Sequence, residues 1–194
     1  RQPTSMTFGA SPIVQAVGSA IDFVARLFDR LGSPLGADYV VTFSVSPLGI
    51  PGGGQSQTVS TDGSGRAEAM FTSTEPMSAT VVAETENGIA ESLDVLFYEP
   101  VDIRDIGSNS SVRAGTSLLL TSDVTGTGPL TYTWNFDGGP MVFDASTPGP
   151  RATYEVPGTY TVTLTVTSPY DEDSASQQVT IEPYRVFLPL VDRG

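Results

Sequence analysis

The chain has 194 residues, 39% of them hydrophobic, which is enough to bury a core and leaves room for one large domain or two small ones. Nine cations against 22 acids give a net charge of −13, which argues against a nucleic-acid binder and against docking on an anionic membrane. Cys and His are absent and every cation is Arg, so disulfides, thiol and imidazole chemistry, Schiff bases and the phosphate-loop lysine are all excluded within the chain. Carboxylates, hydroxyls and guanidinium groups remain, an inventory better suited to binding or spacing than to catalysis. No apolar run approaches the ~20 residues that span a bilayer, and no signal peptide is visible. A first residue of Arg rather than Met points to a processed product or an excised fragment.

The apolar period is two nearly everywhere, the signature of half-buried strands. In the first half it predicts strands over 21–28, 38–45, 65–72, 78–84 and 90–97. Gly32-Ser-Pro34, Pro51-Gly-Gly-Gly54, Asp62-Gly63 and Asn87-Gly88 mark the turns between them. In the second half it predicts strands over 101–106, 117–122, 130–136, 152–156, 158–167 and 176–181. There Asp137-Gly-Gly139 and Pro157-Gly158 are the turns. The clearest segment is 158–167. Tyr160, Val162, Leu164 and Val166 point one way, and Thr159, Thr161, Thr163, Thr165 and Thr167 the other. These are more strands than one immunoglobulin-like sandwich of ~100 residues holds. A division at Glu99-Pro100 predicts an all-β chain of two tandem immunoglobulin-like antiparallel β-sandwiches, residues 1–100 and 101–183, with a short apolar tail at 184–194. The predicted core of the first sandwich is Phe23, Leu27, Val41, Phe43, Val45, Val81, Leu93, Val95 and Phe97. That of the second is Leu118, Leu120, Tyr132, Trp134, Phe136, Tyr160, Val162, Leu164 and Val166.

The second half carries Tyr132-Thr-Trp-Asn-Phe-Asp-Gly-Gly139 and then Ala152-Thr-Tyr-Glu-Val-Pro-Gly-Thr-Tyr-Thr-Val-Thr-Leu-Thr-Val-Thr167. It resembles the polycystic-kidney-disease (PKD) domain, which has a W-D-F-G-D-G stretch followed by T-Y-x-x-P-G-x-Y-x-V-x-L-x-V. In place of the family's Asp-Phe-Gly-Asp-Gly stands Asn135-Phe-Asp-Gly-Gly139, so the acidic residue has moved by one place. The first half carries 28–36 (FDRLGSPLG), 41–47 (VTFSVSP), 60–67 (STDGSGRA) and 79–83 (ATVVA). It resembles the bacterial immunoglobulin-like domains of the invasin and intimin type. Both resemblances imply an extracellular setting, in tandem on cell-surface adhesins or as accessory modules of secreted hydrolases.

Trp134, the only Trp, lies in phase with Tyr132 and Phe136 and reads as a core residue rather than a sugar platform. Asp62-Gly-Ser-Gly65 lacks the further ligands of a calcium loop and reads as a tight turn. Pro51-Gly-Gly-Gly54 has no following Lys-Ser/Thr pair and no helix, so it reads as a loop tip and not a phosphate cradle. Asp171-Glu172-Asp173 is the sharpest charge run and is expected in the turn between the last two strands. Sandwich topology puts that turn beside Glu99, Asp102 and Asp123, where calcium would relieve the repulsion; plain hydration is the alternative. The Thr-rich face reads either as a flat binding surface or as solvated sheet. Asn109-Ser-Ser111 fits a glycosylation acceptor. The tail Tyr184–Gly194 suits a sheet edge, an interdomain contact or an anchoring tag, and is expected to end a longer precursor.

The expected function is a non-enzymatic spacer or adhesion module of a larger bacterial surface or secreted protein. No cofactor is required beyond the calcium candidate, and the expected state is a monomer without membrane insertion. The partner is a cell-surface protein or polysaccharide. The alternative is a carbohydrate-binding accessory module, for which Tyr39, Tyr98, Tyr170 and Tyr184 are the candidate aromatics. A two-carboxylate glycosidase ranks last, because no acid pair stands apart from the general acidity.

Overall fold

A computed structural model describes residues 1–46, 56–109 and 112–184. Pro51-Gly-Gly-Gly54, Ser110, Ser111 and the tail beyond Tyr184 therefore lie outside the described residues. The chain divides into two compact units, Arg1–Glu99 and Pro100–Gly194. Among the described residues all regular structure is strand.

In the first unit the strands are β1 (Ser5–Ala10), β2 (Val14–Ala16), β3 (Ala20–Phe28), β4 (Val40–Ser46), β5 (Ser56–Ser60), β6 (Arg66–Thr72), β7 (Met77–Thr85) and β8 (Ala90–Tyr98). They form two sheets, β1-β3-β6 and β2-β8-β7-β4-β5. The chain crosses between the sheets at the cis Ser11-Pro12 bond. It pairs antiparallel with β3 before it and parallel with β8 after it. Alternation puts Phe23, Phe43, Phe71 and Phe97 wholly inside, with Ile21, Leu27, Val41 and Val81. Leu93 is only partly buried. Gln57 bridges the two sheets at their open edge. Its amide donates to the Met70 carbonyl and accepts from the Met70 N–H (3.4 Å), so one side chain stands in for a strand pairing.

The second unit repeats the plan with β9 (Asp102–Ser108), β10 (Val112–Arg113), β11 (Ser117–Thr125), β12 (Thr131–Phe136), β13 (Met141–Phe143), β14 (Arg151–Thr153), β15 (Gly158–Thr167) and β16 (Glu172–Glu182). Its sheets are β13-β14-β11-β9 and β10-β16-β15-β12. Again the opening strand is split. β9 runs antiparallel to β11, and β10 runs parallel to β16. Leu118, Leu120, Val162, Leu164 and Val166 fill the core, with Trp134 6% exposed and its indole N–H donating to the Thr147 carbonyl (2.9 Å). Tyr132, Phe136 and Tyr160 pack on the rim of that core rather than within it. Tyr160 donates its hydroxyl to the Val156 carbonyl (2.8 Å), the backward bond of a tyrosine corner.

The last hairpin corrects the expectation for the acidic run. Ser168 closes the turn, its Oγ accepting from the N–H groups of Tyr170 and Asp171 and its N–H donating to the Asp171 carbonyl. The turn is therefore complete at Asp171, and Glu172 and Asp173 already belong to β16, paired with Thr167 and Val166.

Candidate interaction surfaces

Of the five candidate metal ligands, Glu99 ends the first unit and Asp102, Asp171, Glu172 and Asp173 belong to the second. Asp173 occupies an inward position of β16, and both carboxylate oxygens are engaged. Oδ2 accepts from the Ile103 N–H (2.8 Å) and Oδ1 from the Ser174 N–H (2.7 Å). Asp102 lies 3.4 Å from the Arg104 guanidinium. Among the described residues no group of three or more acidic side chains is placed to hold a metal ion. Asp173 thus bonds β16 to β9, the edge strand of the opposite sheet; an inward-pointing carboxylate at a sheet edge also discourages pairing with other chains.

Asp62 sits in the tight turn expected of it. Its Oδ1 accepts from Ser64 N–H, Ser64 O–H and Arg66 N–H at 2.8–3.0 Å, and these bonds, the one from Arg66 foremost, hold its carboxyl below the usual range. Gly65 follows at φ +77°, with the Leu35 carbonyl where a Cβ would stand. Asp29 is held down in the same way by the N–H groups of Leu31 and Ser33, with Arg1 3.2 Å away.

The Thr-rich face bonds to itself. Thr163 and Ser176 share a hydroxyl bond of 2.8 Å, Thr165 and Ser174 one of 3.2 Å, and Ser174 also reaches the Leu164 carbonyl. These are cross-strand pairs that stabilise a solvated sheet. Asn109 is engaged as well. Its Oδ1 accepts from the Leu119 N–H (2.8 Å), continuing the β9–β11 pairing past the end of the strand.

The aromatic candidates divide between the units, Tyr39 and Tyr98 in the first and Tyr170 and Tyr184 in the second. Tyr39 packs against the first core and donates its hydroxyl to the Arg1 carbonyl (2.7 Å), and Tyr98 is half-buried at the end of β8. Tyr170 and Tyr184 flank the two ends of the 11-residue β16, a separation on the order of 35 Å at ~3.3 Å per residue.

Two depressions in the first unit bear on catalysis. One, about 630 Å³, contains a single carboxylate, Asp94, which accepts the Thr80 hydroxyl at 2.6 Å. The other, about 520 Å³, contains Asp22 and Glu68, the latter paired with Arg66 at 2.6 Å. Both are open to solvent on sheet faces, and neither sets an isolated acid against an isolated base.

A surface that sequence reasoning missed lies on the sheet β13-β14-β11-β9. Phe143 pairs with Arg151, and Arg151 with Leu119, so the three form one row across three strands. Their neighbours Val142, Ala152, Leu118 and Leu120 turn inward, which leaves the row on the outer face. Phe143 is 56% exposed, Leu119 39%, and Met141, one step along from Phe143 on the same face, 66%. The available signal was three successive apolar residues, 141–143, in a segment to which no strand was assigned.

Both units are immunoglobulin-like β-sandwiches, each with its first strand divided between the two sheets. Residues 100–183 match the family described as the PKD domain. The decoration protein of Escherichia phage T5 is 37% identical over 83 residues, which is 41% of this chain and 51% of that protein. Among solved structures, a C-terminal 282-residue fragment of intimin, in complex with the intimin-binding domain of the translocated intimin receptor, has a TM-score of 0.60 at 21% identity. That match covers 92% of this chain and 64% of the fragment. The Escherichia coli adhesin FdeC also scores 0.60, at 11% identity, covering 95% of this chain and 66% of its own. The chain thus spans about half of its curated relative and less than two thirds of the intimin fragment. At these identities the structural likenesses establish the fold.

Proposed function

We propose that this chain is a non-catalytic module displayed outside the cell, acting as a spacer or adhesion segment of a larger surface or secreted protein. The observation that carries this reading is two successive immunoglobulin-like sandwiches, followed over 92% of the chain by an intimin fragment solved with its receptor. FdeC is an adhesin, and the phage relative is a decoration protein. The −13 charge suits a solvated, displayed chain. Fold alone does not define function, so the test concerns behaviour. Beads coated with the whole chain are incubated with cell monolayers, bacterial envelopes and purified polysaccharides, and bound beads are counted. Saturable retention without chemical change in the partner is expected. Turnover of a glycoside or peptide, lost on substituting one Asp or Glu, would overturn the reading.

A further inference from the structure

We propose that the Phe143–Arg151–Leu119 row is a docking site for an acidic, apolar-flanked segment of a partner protein, one that sets a carboxylate on Arg151 between two apolar side chains. The proposal rests on the reading of this chain as a presenting module.

Charge is the first argument. The chain has more than two carboxylates per guanidinium, yet Arg151, like Arg26, Arg30 and Arg113, has none within ion-pair distance among the described residues; what sets Arg151 apart is its apolar flanks. Its cross-strand neighbours are Phe143 and Leu119, and it is exposed between them. A guanidinium walled by apolar groups meets a carboxylate at lower effective dielectric than one in open solvent, and its planar fork accepts both oxygens. The second argument is the edge. Among the described residues β13 has a partner on one side only, and large apolar side chains at 141 and 143 are the opposite of the charges and prolines that blunt edge strands.

A second copy laid face to face on the row does not fit. The row is centred on Arg151, so a two-fold contact would bring the two guanidinium groups together. Three side chains also offer no more than roughly the few hundred Å² of an ordinary surface patch, short of the ~800 Å² per partner of a stable interface. A short segment laid on the face of the row, gaining one ion pair and the apolar contacts that flank it, matches that size.

The test uses the whole chain, isotope-labelled for NMR. The probe is a seven-residue peptide of alternating Thr and Leu with a central Glu, set beside its Gln analogue. Shifts confined to β11, β13 and β14 are expected, with the Gln analogue binding at least threefold more weakly. Arg151→Gln should abolish that discrimination, and Phe143→Thr should weaken both peptides. Equal binding of the two peptides, or no shifts on this face at millimolar peptide, would overturn the proposal. So would self-association of the unliganded chain through this face in sedimentation. If the site fails while bead retention persists, the module reading stands and its contact lies elsewhere.

Discussion

Gly138 shows how one residue can fix a corner. Its φ is +78°, and a Cβ there would run into the Tyr160 ring. That ring cannot retreat, because it stacks on Tyr154 at 4.2 Å and its hydroxyl is tied to the Val156 carbonyl. Gly139 has φ +61° but open space around it. Gly138→Ala should therefore cost about 2–3 kcal/mol, strain plus overpacking, and Gly139→Ala only ~1 kcal/mol, both read from urea unfolding of the second unit. Equal losses would mean that the ring contact contributes nothing. Tyr154, 2% exposed, has a buried hydroxyl without a partner among the described residues, and burial with the nearby Asp137 charge pushes its pKa up to about 12. Tyr154→Phe should thus be neutral or stabilising by ~1–2 kcal/mol. Because the folded pKa exceeds the unfolded value, stability is fully present below pH ~10 and is lost as pH rises toward 12. The alkaline loss should shrink in Tyr154→Phe without vanishing, because Tyr184, beside Glu155, is also raised. The core phases of Trp134, Leu164 and Phe43 were legible from alternation; the orphan hydroxyl of Tyr154 was not, since nothing local says which polar atoms find partners.

At the scale of elements, Asp173 separates what a sequence shows from what packing decides. Three adjacent acids read as a solvated turn, because the pattern carries no sign of a turn already closed by Ser168. The strand instead starts at Glu172 and directs Asp173 across the sandwich to the Ile103 N–H. Asp173→Ala would leave that donor without its acceptor, at about 1–3 kcal/mol. The amide of Ile103 should lose protection against hydrogen exchange, and the fall in melting temperature should be the same in calcium and in chelator. A fall seen only with calcium present would return the residue to metal binding. The strands recovered from the sequence are, apart from the three-residue β14, the long alternating ones. Those missed, β1, β2, β5, β10 and β13, are short or lie at edges, where one-sided pairing leaves too few alternations to detect. For the same reason the docking row went unseen: its three members come from β13, β14 and β11, and cross-strand register brings them together only in the fold.

For the whole molecule, the two units differ in how pH acts on them. Asp29 and Asp62, both held below the usual carboxylate pKa by hydrogen bonds, belong to the first unit, and Tyr154, held above the usual phenol pKa, belongs to the second. A depressed carboxylate contributes stability above its unfolded pKa of 3.8 and loses it as pH falls through the lower folded value. Acid should therefore weaken the first unit selectively, and alkali between pH ~10 and 12 the second. One chromophore tells them apart, because the only Trp is Trp134, in the core of the second unit. Its fluorescence follows that unit, whereas far-ultraviolet circular dichroism follows both. Lowering the pH from 5 to 2.5 in moderate urea should abolish part of the dichroism while Trp134 still emits as a buried indole. Asp29→Asn and Asp62→Asn together should reduce that separation. Superimposable curves at every pH would instead show the chain unfolding as one cooperative body, and the independence of the two units would have to be abandoned.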